Sequence, residues 1–415
     1  MSFFRKVLAG RILLFSLSVA LGTVHPFVEA EADLPIRILL LRGVRSAGVS
    51  SSGSIRIYSL REERLVHDAE RGDSVALRAT GKRVRLENHG GVLLPPGGAR
   101  FRAVGHTVRL NGRPYRGAID VVASGDRLWV VNTVRLEDYL RGVVGREVPP
   151  RWPQAALQAQ AVAARTFTLL IREQAERAAG GRPLFHLTAG TRDQVYGGIP
   201  AEDPAVDAAV RRTEGQVLVY RGTLARTFFH AASGGHTEAA QAVWPQIDDP
   251  YLRGVSVPGE RRDGAQDWEV RIEPDELRRA LARRGRNVGA IRDVRIKGRT
   301  PSGRATRVLI NHRYGQISLP ATRLRRVLGY TRVRSTLFAL FRDRDSLVFR
   351  GRGFGHGVGM SQQGARWLAE SGMSYAEILV FFYPGTSLRK AEEAAFPDDE
   401  LLVPQDVEDL RLLLR

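Results

Sequence analysis

Glu147 is the residue whose neighbours along the chain best suit proton transfer. It lies in Leu136–Phe167, LEDYLRGVVGREVPPRWPQAALQAQAVAARTF, where Leu136, Tyr139, Leu140, Val143 and Val144 recur at the spacing of one helix face. The pattern stops at Gly145, and Pro149, Pro150 and Pro153 cannot continue it. Pro153 fits the first turn of a second helix, with Ala156, Leu157, Ala161, Ala164 and Leu170 on or near its buried side. Glu147 is therefore expected in a kink just past a helix C-terminus. The negative end of that helix, together with Val144, Val148 and Trp152, would raise a carboxyl pKa. A raised pKa suits a general acid working near neutral pH. Spacing alone allows a solvated loop glutamate equally well.

Further side chains can line a site around it. Gln160 and Arg165 project from the second helix five residues apart, so they do not share a stripe. Arg165 stands among Ala163 and Ala164, which fits either a cleft-lining guanidinium or a partner for a structural acid such as Asp138. Ser233, His236 and Thr237 belong to the polar turn SGGHTE, whose glycines let backbone approach a ligand. The same residues also fit a tight turn with Thr237 as a helix N-cap. GFGHGVG, Gly353–Gly359, lacks the Lys-Ser/Thr of a phosphate loop and the downstream acid of a dinucleotide fold. With His356, Ser361 and Gln362 it is expected to form a second wall of the cleft. Asp193, Gln194 and Tyr196 are expected beside it, Tyr196 offering a ring on which a ligand could stack. His186, His230, His236 and His356 show no metal-binding spacing and cysteine is absent, so neither a metal nor a cofactor is expected.

Four ordered segments resemble the SpoIID/LytB domain family, named for stage II sporulation protein D and an amidase enhancer. They are YLRGVVGREVPPRWPQAALQAQAVAARTF, DQVYGG, FHAASGGHTEAAQAVW and GRGFGHGVGMSQQGA, and the resemblance runs from about Val130 to Thr386. It implies a cell-wall protein. Where the family's E-[MV]-P glutamate is present, here Glu147, it implies a peptidoglycan lytic transglycosylase. One carboxyl group would protonate the glycosidic oxygen of a MurNAc–GlcNAc bond. It would then take the proton of the muramic C6 hydroxyl as that oxygen closes onto C1, leaving a 1,6-anhydro end. Ordinary glycoside hydrolysis instead uses two carboxylates. The implied partners are glycan strands already stripped of stem peptides, with a wall amidase or a membrane-anchored protein as a further one. The second reading is a non-catalytic wall-binding enhancer of an N-acetylmuramoyl-L-alanine amidase, which needs no acid at Glu147.

The 415 residues carry a formal net charge of +19, and only four of the basic residues are lysine. Codon bias in a GC-rich gene is one explanation, and attraction to an anionic polymer is the other. No zinc-finger spacing, aromatic RNP-type strand or basic helical repeat points to nucleic acid. Arg5, Lys6 and Arg11, an apolar run from Ile12 to Val24 and Ala30-Glu31-Ala32 have the layout of a signal peptide over 1–32. Export to the periplasm or cell wall follows, with an uncleaved membrane anchor as the alternative.

The elements that must position these groups make an α+β chain. Residues 33–130 are rich in short alternating runs (IRILLL, SIRIYSL, RVRLEN, RFRAVG, RLWVVN) separated by glycine turns, and are expected to form a β-rich subdomain. The helix–kink–helix core is expected over 131–260 and resumes over 342–386. An α/β subdomain is inserted over 261–341, and 387–415 is expected to be a tail.

Overall fold

The computed structural model describes residues 34–190, 193–261 and 266–395. The segment expected to be a signal peptide and the last part of the expected tail lie outside these residues. The fold is α+β, as the sequence led one to expect.

Alternation of apolar and polar residues puts two sheets face to face at the N-terminal end. One has five strands in the order Arg83–Leu86, Ser74–Thr80, Ser46–Ser50, Val108–Leu110, Arg113–Tyr115. The other has seven, in the order Leu187–Thr188, Pro35–Val44, Arg127–Arg135, Ala118–Ser124, Ala99–Ala103, Ile55–Ser59, Leu65–Ala69. Val49, Val75, Leu77, Val84 and Leu86 of the first share one core with Ile55, Ile57, Phe101, Ile119 and Val121 of the second. Ile55–Ser59 buries every second side chain, Ile55, Ile57 and Ser59, whereas Arg127–Arg135, covered on both faces, buries Val130 to Val134 in succession.

Arg127–Arg135 feeds directly into helix α1, Leu136–Glu147, with Arg135 as its extended N-cap. The strand's register against Pro35–Val44 and Ala118–Ser124 therefore fixes where the helix starts. Helix α2, Gln154–Ala179, follows after the prolines, with Pro153 at its N-cap. It ends where Gly180 takes a left-handed φ of 62° and its N–H closes onto the Arg177 carbonyl. Almost every residue from Ala159 to Ile171 is buried, because alanines there let α1, the helix Pro204–Arg212, the strand Gln216–Tyr220 and the helices Gln362–Glu370 and Tyr375–Phe382 close around α2.

α1 corrects the expected kink. The helix runs through Gly142 and Gly145 and includes Glu147 as its last residue. The two glycines are there for close approach and do not stop the helix. A Cβ on Gly142 would sit 2.6 Å from the Tyr196 ring, and one on Gly145 would sit 2.5 Å from the Ala201 carbonyl oxygen.

A second hydrophobic cluster forms among residues 268–349. Helices Pro274–Ala282 and Ala321–Leu328 bury Leu277, Leu281, Leu324 and Leu328 against Val308, Ile310 and Leu319 of the sheet Ile291–Arg299, Ala305–His312, Gly315–Pro320. Strand Ser346–Arg352, expected with the first core, instead sits between Asp267–Ile272 and Phe338–Asp343 and supplies Leu347 and Phe349 to this cluster. Strand Ser387–Lys390, expected in the tail, pairs with Gln216–Val219 in the first core. Within the run ARTFFHAA, residues 225–232, Phe229–His230 is strand and pairs in parallel with Met360–Ser361. That short pairing joins two segments about 130 residues apart and brings the SGGHTE turn beside GFGHGVGMSQQ.

Candidate active site

Glu147 is half-buried at the last turn of α1. Its Oε1 accepts the Val195 backbone N–H at 2.8 Å, and its Oε2 faces Gln362 Nε2 at 3.4 Å. Burial raises its carboxyl pKa, and these two hydrogen bonds, which favour the carboxylate, pull the other way. Among the described residues no charged neighbour contributes to the shift.

Each partner is placed by its own element. Gln362 opens the helix Gln362–Glu370 behind Ser361, whose side chain caps it by accepting the Gly364 N–H. Gln362 Nε2 also lies 3.4 Å from Gln160 Oε1 on α2. Gln160 is buried, and among the described residues its own Nε2 has no partner. It is a spare donor beside the carboxyl group. Trp152 packs nearby in the first core, with the Arg366 guanidinium 5.8 Å from its ring.

The DQVYGG loop serves this arrangement as a brace. Gln194 is fully buried; its carbonyl accepts from Tyr139 and Thr168 hydroxyls, and its amide donates to the Ala164 carbonyl. Asp193 accepts from the Thr188 N–H and hydroxyl. Tyr196 is buried against Tyr139 and Tyr115 and donates its hydroxyl to Asn132 Oδ1. Held on both sides, the loop aims the Val195 N–H at Glu147. Tyr196 is thus not an open platform for a sugar, because its ring fills the space that Gly142 leaves.

Arg165 is a further correction. It is fully buried on the side of α2 away from Gln160, where it forms a two-pronged ion pair with Glu137 at 2.7 Å and donates to the Gln216 carbonyl. It ties α1 to the strand Gln216–Tyr220 and does not line the cleft. The acid is Glu137, not Asp138.

The second wall is built around a carboxylate that no spacing signalled. Glu260, in the short 3₁₀ helix Pro258–Arg261, accepts the N–H and hydroxyl of Ser233 and the Gly234 N–H at 2.8–2.9 Å, together with the Ser361 hydroxyl. Ser233 and Ser361 are both fully buried in this network. Thr237 is buried too and exchanges hydrogen bonds with Val255; it is not a helix N-cap. Arg304, from the second cluster, reaches in to donate to the His236 carbonyl at 2.8 Å and the Ser233 carbonyl at 2.7 Å. Gly357 makes room for its guanidinium.

His356 has both ring nitrogens committed. Nδ1 accepts the Val358 N–H, so Nε2 carries the proton and donates to the Phe229 carbonyl. Burial and nearby Arg325 push its pKa down to about 3, so the ring is neutral. It packs against Trp244 and His230 and supports the wall from behind. His236 is half-buried, with Nδ1 2.6 Å from the Thr237 carbonyl. Of the sequence candidates, then, Glu147, Gln160 and Gln362 converge, and the others hold them in place. No group of three or more metal-ligating side chains comes together among the described residues.

These features define an α+β protein with a half-buried acid at a helix end that meets a backbone N–H and the Gln362 amide, with Gln160 behind that amide. The chain belongs to the SpoIID family. The family model, described as stage II sporulation protein, matches residues 124–220. Stage II sporulation protein D of Bacillus subtilis is 30% identical over 272 residues, 63% of this chain and 76% of that one. An uncharacterized protein of Brachyspira hyodysenteriae is 34% identical over 280 residues, 67% of this chain and 73% of its own length. The amidase enhancer of B. subtilis is 29% identical over 293 residues, which are 60% of this chain but 40% of that protein. A model for a domain of unknown function matches residues 258–359.

Proposed function

We propose that this chain is an exported peptidoglycan lytic transglycosylase that cleaves MurNAc–GlcNAc bonds in glycan strands lacking stem peptides. The observation that carries the reading is Glu147 at the end of α1, held by the Val195 N–H and facing Gln362, its carboxyl pKa raised by burial with no second charged group contributing among the described residues. A lone acid of this kind can give its proton to the glycosidic oxygen as the C1–O bond breaks. The resulting carboxylate, steadied by Val195 N–H and Gln362, then accepts the proton of the C6 hydroxyl as O6 bonds to C1. No water is consumed.

Glu147→Gln tests this. Glutamine is nearly isosteric, so the fold is retained, but it can neither donate nor accept the catalytic proton. Loss of general acid–base catalysis costs on the order of 10²–10⁴ in rate; one group acting twice puts the expected loss at the upper end or beyond. Mass spectrometry of purified glycan strands should show 1,6-anhydro ends with the parent protein and intact strands with the variant. Cleavage by the variant at the parent rate would refute the mechanism.

The likeness to an amidase enhancer supports the second reading, in which the chain binds the wall and stimulates a separate amidase. That reading replaces the first if neither protein cleaves strands and both stimulate an added amidase equally.

A further inference from the structure

The net charge of this chain is unevenly placed. Residues 258–359 contain 24 of the 63 Lys and Arg but 10 of the 44 Asp and Glu, and so carry +14 of the total +19. From Leu277 to Arg342 there are 18 basic residues and one acid, Asp293. Codon bias acts on a whole gene and exchanges lysine for arginine. It does not remove acids from one segment while the remainder stays near neutrality.

Much of this charge meets no carboxylate among the described residues. The sheet Ile291–Arg299, Ala305–His312, Gly315–Pro320 turns Val294, Val308, Ile310 and Leu319 to its core. Its other face carries Arg295, Lys297, Leu309, Arg307, Asn311, Gln316 and Ser318, and Arg295, Lys297, Arg307 and Gln316 are exposed. Lys297 and Arg307 stand directly opposite each other across two strands. Like charges in that position destabilise a sheet, and among the described residues neither meets a carboxylate. Arg307 is held in place by Ser318, Nε to Oγ at 2.8 Å. Asp293, at one end of the face, pairs with Arg295.

We propose that this sheet face is a docking surface for an extended polymer of repeated phosphodiester charge. Guanidinium groups match phosphate oxygens in a two-pronged geometry. Two such groups, on Arg295 and Arg307, with the ammonium of Lys297 between strands, suit a chain lying across the sheet. None of the side chains named on this face is aromatic, and the one exposed ring close in sequence, Tyr314, sits in the turn between Ala305–His312 and Gly315–Pro320 and not in the row of strand positions, so the face itself offers no platform for stacked bases. The occupant is therefore a polymer of sugar or polyol phosphate and not a nucleic acid. Docking does not depend on the cleavage chemistry at Glu147.

The test uses the full chain and the triple variant Arg295→Gln, Lys297→Gln, Arg307→Gln, with polyglycerol phosphate of defined length as the probe and calorimetric titration across a salt series. The parent should bind, with affinity falling as salt rises. The variant should bind at least tenfold more weakly at low salt, with a log–log salt slope shallower by about two, the scale expected when three phosphate contacts are lost. Its unfolding temperature should be no lower than the parent's, since the like-charge pair Lys297–Arg307 is removed, and its action on phosphate-free purified glycan strands should match the parent's, which separates failure of docking from failure of the transglycosylase reading. Equal affinity and slope in parent and variant would overturn the proposal. Tighter binding of the parent to a DNA duplex or to anionic vesicles than to polyglycerol phosphate at the same salt would overturn the choice of occupant.

Discussion

At Glu147, burial and hydrogen bonding pull the carboxyl in opposite directions, and burial wins. The sign of the consequence for stability follows. A carboxyl whose folded pKa lies above its unfolded one binds its proton more tightly in the native state. The stability it contributes is complete below the unfolded value and is lost as pH rises through the folded value. Glutamine at this position does not titrate. Wild type and Glu147→Gln should therefore differ least in melting temperature at acid pH. The variant's advantage should grow as pH passes from the ordinary carboxylate range through the raised value, then level off. Thermal unfolding of both proteins across that range checks this; a constant gap would mean that Glu147 is as well solvated when folded as when unfolded. A gain in stability on removing the acid is the expected mark of a residue kept for chemistry at some cost to the fold.

α1 and α2 hold that residue by close approach. Alanine normally stabilises a helix relative to glycine by roughly 1 kcal/mol. At Gly145 the order should reverse, because a Cβ would lie 2.5 Å from the Ala201 carbonyl oxygen. Gly145→Ala should cost about 1–3 kcal/mol, the usual range for overpacking. It should also depress strand cleavage, since the last turn of α1 must shift to relieve the contact. Denaturant unfolding gives the first quantity, and a stability equal to the parent's would remove the packing argument. The same glycine marks what was legible in the sequence. Helical spacing from Leu136 and the alanine run after Pro153 located both helices, because periodicity is a local property. Whether Gly145 ends a helix or lets another segment approach depends on Ala201, 56 positions away, and local pattern carries no such information. Arg165 was readable as buried among small residues, but its partner Glu137 was not distinguishable from Asp138 without the helix phase. Glu260 was invisible for a related reason. Its role comes from Ser233 and Ser361, which meet only because Phe229–His230 pairs with Met360–Ser361.

Across the whole molecule the two hydrophobic clusters are joined by polar contacts more than by shared apolar core. Trp268 donates to the Gly353 carbonyl, and Thr300 and Ser302 donate to the Glu238 carboxylate. Arg304 spans the junction, with its guanidinium buried and two of its hydrogen bonds going to carbonyls of the SGGHTE turn. Burial lowers its pKa, and the nearby carboxylates of Glu238 and Glu260 oppose that shift. Arg304→Leu keeps comparable apolar bulk but removes the donors. Two buried carbonyls then lose their partners, at about 1–3 kcal/mol each, and Glu238 and Glu260 lose a compensating charge. Because the loss falls on the junction and spares both cores, coupling should suffer more than either core does. Scanning calorimetry should show one cooperative transition for the parent and two for Arg304→Leu, the earlier belonging to the unit that carries the basic sheet. Strand cleavage should fall through a higher KM, as the wall built on Ser233 and Ser361 loosens while Glu147 and Gln362 keep their places. A single transition at the parent temperature, with KM unchanged, would show that the two units stay locked together without this arginine.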